Sequence, residues 1–324
     1  YPWFEERLCD SLLSLPGCTL VPGRYDVARA VLKRYVSFMK KGELPSYISE
    51  QTSLPVYNSF EPALWFFYAV YKYIIYTNDF FFVVDELYDA LKQSVQYFYT
   101  NASKHVYVDS DHLLTTINEQ IKGAWQQESL QYSIKSRVGK LVEINALWYM
   151  GMKVLELIAQ ACKEEQDFFR YHDLALRIRE NFLDLFWNED KRCLFDCVHH
   201  GKKEDAVRPY QILAIGPVFD LIDDDRALYI LETVERELLT MAGLRTLSSS
   251  DETYVGTYAG DWYSRDVAYH QGCVHPFYIG FYADAYMKYN KDNPARKDAC
   301  KILLKALFHH VLSDAGMGYI SELF

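Results

Sequence analysis

Six side chains that can grip hydroxyl groups crowd between residues 261 and 271: Asp261, Arg265, Asp266, Tyr269, His270 and Gln271. Carboxylates accept hydrogen bonds from O–H groups, guanidinium donates several, and imidazole, phenol and amide do both. They sit in the stretch GTYAGDWYSRDVAYHQGCVHPFYIGFYADAY, Gly256 to Tyr286, whose second half turns abruptly apolar. The first half reads as a loop and the second as a buried helix. A polar loop delivered onto the mouth of a buried helix is a way to build a site for a very polar ligand. The same residue types also cap ordinary helices.

The elements that must position such a site come in two kinds. Residues 24–41, 83–99, 166–186, 224–240 and 294–311 carry apolar side chains at helical spacing on one stripe, so each predicts a helix with one wet face. Gly42 follows the first as a C-cap. Pro62–Tyr76, Glu143–Cys162, Pro209–Leu221 and Val274–Tyr286 are apolar nearly all round, which predicts burial. A polar cluster precedes each: Tyr57, Asn58 and Glu61; Arg137, Lys140 and Glu143; Arg208 and Gln211; and the opening loop. Buried helices alternating with one-sided helices predict two concentric rings, an all-α fold of the α/α toroid type, with the inner helices' N-terminal ends facing a central funnel. Period-two alternation with a turn at Gly201 predicts one small β-hairpin at Arg192–Asp205. There is no βαβ alternation, no glycine-rich phosphate loop and no low-complexity linker. The chain reads as one domain over residues 1–324, and its first residue, Tyr1, reads as the start of a piece of a longer chain.

Composition narrows the partners. Among 324 residues, Lys plus Arg number 34 and Asp plus Glu 44, a formal net charge of −10. An acidic surface repels phosphate backbones, so nucleic acid is not an expected partner. Aromatic residues make up 16%, with 27 Tyr, and a ring with a hydroxyl suits sugars. The most apolar run, LWFFYAVYKYIIY, is broken by Lys72, so no membrane span is expected. Seven cysteines, an odd number without a framework, argue for free thiols and, with no signal peptide, for the cytoplasm. Cys193, Cys197, His199 and His200 lack the tight pair of a closed zinc site. Asp223–Asp225 could suggest a magnesium site, but acids at a helix start favour the macrodipole. His309 and His310 lie on a Lys-containing helix and read as ordinary helix residues. No metal and no cofactor are expected.

Seven segments stand in a telling order: YPWFEERLCDSLLSLPGCTLV, VYNSFEPALWFFYAV, GKLVEINALWY, VRPYQILA, GLRTLSS, GDWYSRDVAYHQGCVHP and GYISELF. Together they resemble the amylo-α-1,6-glucosidases, the glucosidase half of glycogen debranching enzyme and its bacterial relatives. The resemblance runs from Tyr1 to Phe324. It implies a six-fold toroid, hydrolysis of α-1,6-glucosidic bonds with inversion, a glycogen-like α-glucan or derived oligosaccharide as substrate, and no metal. Inversion needs one carboxylic acid on the glycosidic oxygen and one carboxylate to activate water, roughly 6.5–9.5 Å apart. By resemblance the base is Glu322 of ISELF. The acid should stand two residues after Trp125, where this chain has Gln127. An amide cannot donate a proton as a carboxylic acid does. Glu128 is adjacent, though neighbours on a helix point about 100° apart.

The resemblance further implies glucan contacts at Asp10, Tyr57, Asn58, Trp125, Arg208, Asp261, Arg265, Asp266, His270 and Gln271. Of these, Asp10, Asn58, Arg208, Asp266 and His270 are expected to converge on one end of the barrel. Arg137 and Glu143 read better as residues tying helix ends. Departures from the pattern occur at Arg7, Leu8, Cys9, Val56, Glu61, Tyr210, His275 and Phe277. Two functions therefore stay open: a debranching-type glycoside hydrolase, or a toroid that binds α-glucan and hydrolyses it poorly.

Overall fold

The structure, a computed structural model, describes residues 5–100, 105–117, 137–216, 219–314 and 316–324. These residues are mostly helical. They fall into two compact units, one drawn from Tyr1–Glu128 and Leu147–Asn181, the other from Ser129–Ala146 and Phe182–Phe324.

The first unit opens with β1 (Glu6–Arg7), α1 (Leu8–Leu15) and α2 (Tyr25–Ser37). Helix α2 buries Ala28, Leu32 and Tyr35 and exposes its other faces, as its stripe requires. Strands β2 (Tyr47–Ile48) and β3 (Pro55–Val56) join β1 in an antiparallel sheet. Helix α3 (Glu61–Thr77) follows, buried on nearly every side from Glu61 to Val70. Its end is set by Asn78, whose left-handed backbone (φ 53°) lets its N–H bond back to the Ile74 carbonyl. A short helix α4 (Phe80–Phe82) and a π-helical turn over Val83–Leu87 lead into α5 (Tyr88–Tyr99). Gly42 does not cap α2, which ends five residues earlier. It has φ +89°, and a Cβ there would collide with the Gln93 carbonyl of α5, so both backbone angle and close approach demand glycine. Strands β4 (Val106–Val108) and β5 (Leu114–Thr116) pair antiparallel.

Two long helices contain residues of both units: α6 (Val142–Cys162), buried on most faces, and α7 (Glu165–Phe186), one-sided, burying Tyr171, Ala175, Ile178, Phe182 and Phe186.

The second unit holds more strand than the single expected hairpin. The hairpin forms as β9 (Cys197–His199) and β10 (Lys202–Glu204), turning at Gly201. Strand β6 (Lys140–Leu141) adds to its other edge, and β7 (Trp187–Asn188) pairs with β8 (Cys193–Leu194). The segment at Pro209 forms a six-residue 3-10 helix, Pro209–Ala214, rather than a helix reaching Leu221. Helix α8 (Asp224–Glu237) is capped by Asp223, whose carboxylate accepts from the Arg226 N–H and side chain. This is the capping role expected of that acidic run.

Strand β11 (Leu244–Arg245) pairs with β12 (Val274–His275), so the apolar run after Val274 starts as strand and becomes helix α10 only at Tyr278–Tyr289. The polar stretch before it is not a loop throughout. Trp262–Gln271 is helix α9, with Asp261 as its N-cap. Helix α11 (Arg296–Ser313) follows. Among the described residues no helix is long and apolar enough to cross a membrane.

Candidate active site

The site grows from a buried ion network in the second unit. Arg137 donates to Glu143 in bidentate fashion, at 2.6 and 2.8 Å. It also grips Asp196 through Nε at 2.6 Å and Nη2 at 2.8 Å. Glu143 stands in the first turn of α6, and Asp196 between β8 and β9. Their side chains are only 3% and 1% exposed, so burial without Arg137 would strand the Glu143 charge and take from Asp196 its nearer cation. Burial works against the Arg137 charge, but Asp196 and Glu143 outweigh it and push its pKa further up. Its guanidinium lies 3.9 Å from the centre of the Tyr210 ring, which meets Tyr278 edge-on at 6.0 Å.

Arg208 continues the network. Its Nε stands 3.6 Å from Asp196, its Nη1 donates to the carbonyls of Thr246 and His270, and its Nη2 donates to Gln271 Oε1 at 2.6 Å. Both Arg208 and Gln271 are buried, with these bonds directed inside the unit. They brace the C-terminal turn of α9, fixing the residues that precede them on that helix.

Those residues are Asp266, Tyr269 and His270. His270 Nε2 stands 3.9 Å from Asp266 Oδ1 one turn earlier. Burial, then neighbouring His275, Arg208 and Arg137, hold the His270 pKa down at about 4. His275 is also pushed down by burial, against opposing pulls from Glu322 and from a backbone hydrogen bond with Tyr269. Both imidazoles are therefore neutral near pH 7. The Tyr269 ring packs edge-on against His270 at 4.9 Å and His275 at 4.5 Å. Its hydroxyl donates to Glu322 Oε1 at 2.7 Å. Glu322 is exposed to water. A solvent-accessible carboxylate fixed by one phenol can take a proton from water.

The sequence-named residues divide as follows. Arg208, Asp266, His270, Gln271 and Glu322 belong to one continuous cluster in the second unit. Asp261 and Arg265 are exposed on the entry of α9, and the Asp261 carboxylate accepts from the Ser264 N–H at 2.8 Å as a helix cap. Asp10, Tyr57 and Asn58 lie in the first unit. Asp10 is exposed in the first turn of α1, and Asn58 is exposed, its backbone N–H bonded to Ser46. The Tyr57 hydroxyl donates to the Phe38 carbonyl, and Lys40 sits over its ring. Trp125, Gln127 and Glu128 fall outside the described residues. Asp196 was not legible as a site residue: a lone Asp in an alternating strand reads as its wet face. Arg137 and Glu143 are tied to each other.

The described residues contain no group of His, Cys, Asp and Glu arranged to hold a metal ion. Burial pushes the Cys193 and Cys197 thiols up, to about 11 and about 12. His310 bonds Ser321, and exposed His309 bonds Ser313.

A sequence model of the amylo-alpha-1,6-glucosidase family matches residues 1–324, and the chain belongs to that family of glycoside hydrolases. A search of curated proteins finds no match.

Proposed function

We propose, with membership of the amylo-alpha-1,6-glucosidase family as the premise, that this protein acts on α-1,6-glucosidic branch points of glycogen-like α-glucans, with inversion, on a six-fold α/α toroid. The observation that carries the reading is the family match over residues 1–324. The exposed Glu322 carboxylate, oriented by Tyr269 beside Asp266 and His270, supports a base at that position. In this reading Glu322 removes a proton from water as its oxygen attacks the anomeric carbon. The glycosidic C–O bond breaks with its electron pair on the leaving oxygen, which in this reading takes its proton from the Glu128 carboxyl, next in sequence to the expected acid position. Asp266 and His270 take sugar hydroxyls. No cofactor takes part. Seven free cysteines support action in the reducing cytoplasm.

A second reading has its own observation. Gln127 stands where the acid is expected, so the leaving oxygen lacks its proton donor. General acid help is worth ~10²–10⁴-fold, so glucose release from glucan should be slow by that factor while binding persists. Incubation with a branched limit dextrin, following released glucose and measuring binding by calorimetry, tests both readings. Binding with slow release favours the second. Brisk release that Glu128→Gln abolishes makes Glu128 the acid. Neither binding nor release ends both.

A further inference from the structure

The carboxylate of Glu322 is the one reacting group of the proposed hydrolysis that the structure describes, so what aims it matters. Its backbone is fixed twice without help from its side chain. On one side, Phe324 and Val274 exchange backbone hydrogen bonds at 2.9 and 3.0 Å, extending β12. On the other, the buried imidazole of His310 bonds the Ser321 hydroxyl at 3.0 Å and its backbone N–H at 3.3 Å, and stacks edge-on with Phe324. The segment is thus anchored at Ser321 and Phe324, on either side of Glu322.

The Tyr269–Glu322 bond therefore adds little to anchoring the segment. What it does fix is a rotamer. An exposed glutamate has three rotatable bonds, and a single 2.7 Å bond at Oε1 selects among their wells. The donor itself is held: the Tyr269 ring meets His270 at 70° and His275 at 85°, and both histidines are buried. Among the described residues Glu322 Oε2 has no hydrogen-bond partner, so it is the oxygen left to meet water.

We propose that Tyr269 is the positioning residue of Glu322: its hydroxyl holds Oε1 so that Oε2 faces the attacking water. This rests on Glu322 being the base. When Oε2 gains the water proton, Oε1 still accepts from the phenol, so the aim persists through the step.

The test uses α-glucosyl fluoride, whose leaving group needs no proton. Water adds to the anomeric carbon, the C–F bond breaks with its electron pair on fluoride, and Glu322 takes the water proton. Kinetic constants are measured for the whole chain, Tyr269→Phe, Glu322→Gln and the double variant, with exposed Tyr263→Phe as the control phenol. Tyr269→Phe keeps the ring and both imidazole contacts, so its Tm should match the parent. Its kcat should fall about 10-fold with KM within about twofold, a misaimed base with intact binding. In the Glu322→Gln background the same change should cost nothing further, because there is no base left to aim. A merely structural tyrosine would lower activity equally in both backgrounds, and that result, or a parental kcat in Tyr269→Phe, overturns the assignment. If instead Glu322→Gln keeps parental turnover, Glu322 is not the base and the function's own assignment falls. A parent protein that leaves the fluoride intact ends the hydrolytic reading, and the positioning role with it.

Discussion

Arg137 should be among the least replaceable side chains in the second unit. Substituting it with Met keeps most of its volume but leaves Glu143 buried without its cation and Asp196 with Arg208 alone, 3.6 Å away. Breaking a buried pair this way costs about 3–5 kcal/mol, which a urea titration would read as a lower midpoint. A midpoint unchanged from the parent would mean the network contributes no net stability. His270 gives a second prediction with a defined sign. Its pKa falls from 6.5 in the unfolded chain to about 4 in the fold. The unfolded state therefore takes up a proton that the folded state refuses. The stabilisation is complete above about pH 6.5 and fades as pH drops towards 4, by about 3 kcal/mol in full. His275 shifts the same way and adds to the loss. Urea midpoints at pH 7 and pH 4.5 should differ less in His270→Asn than in the parent; an equal difference would remove His270 as the cause. At the position where the family resemblance places the acid, Gln127→Asp should raise release of glucose from limit dextrin more than hydrolysis of α-glucosyl fluoride, since only the first needs a proton donor. Equal gains would mean the carboxyl acts on something other than the leaving group.

At the scale of elements, what could be read depended on length. Long helices declare themselves through many turns of periodicity, so α2, α7, α8 and α11 fall within a few residues of their expected spans. The buried helices α3 and α6 were legible because they are apolar on every face. Strands of two or three residues have almost no alternation to show, which is why the short sheets beyond the hairpin are absent from the sequence reading. The stretch before α10 misled in both directions. Its glycines and hydroxyl-gripping residues suggested loop, yet Asp261 supplies an N-cap and ten residues become α9. That helix changes the meaning of its residues. Helical spacing puts Asp266 and His270 one turn apart on one face and sends Asp261 to the entry, where it caps. Asp261→Ala should then lower Tm and leave limit-dextrin affinity at the parental value, while Asp266→Asn should weaken binding with little change in Tm. Calorimetry with dextrin and a thermal melt on both variants separates the two roles; a loss of affinity in Asp261→Ala would restore it as a ligand.

At the scale of the molecule, the division into two compact units leaves only a faint mark in the sequence. Domain boundaries normally show as polar, Pro- or Gly-rich linkers, and of the three points where the chain exchanges units only Glu128–Ser129 lies in a polar stretch of sequence. The other two changes fall inside regular helix, between Ala146 and Leu147 in α6 and between Asn181 and Phe182 in α7. Helical periodicity runs on unbroken through both points, so nothing in the pattern could signal the change. The same feature predicts how the protein melts. A helix propagates cooperatively and is costly to nucleate, so unfolding one unit would fray two helices that the other unit also needs. Calorimetry should show a single endotherm with calorimetric and van't Hoff enthalpies in a ratio near one. At ~0.7 kcal/mol per residue near 60 °C, 324 residues should absorb about 230 kcal/mol in that one transition. Two resolved endotherms, each carrying about half of that heat, would instead make the units independent domains and end the single-domain reading of the chain.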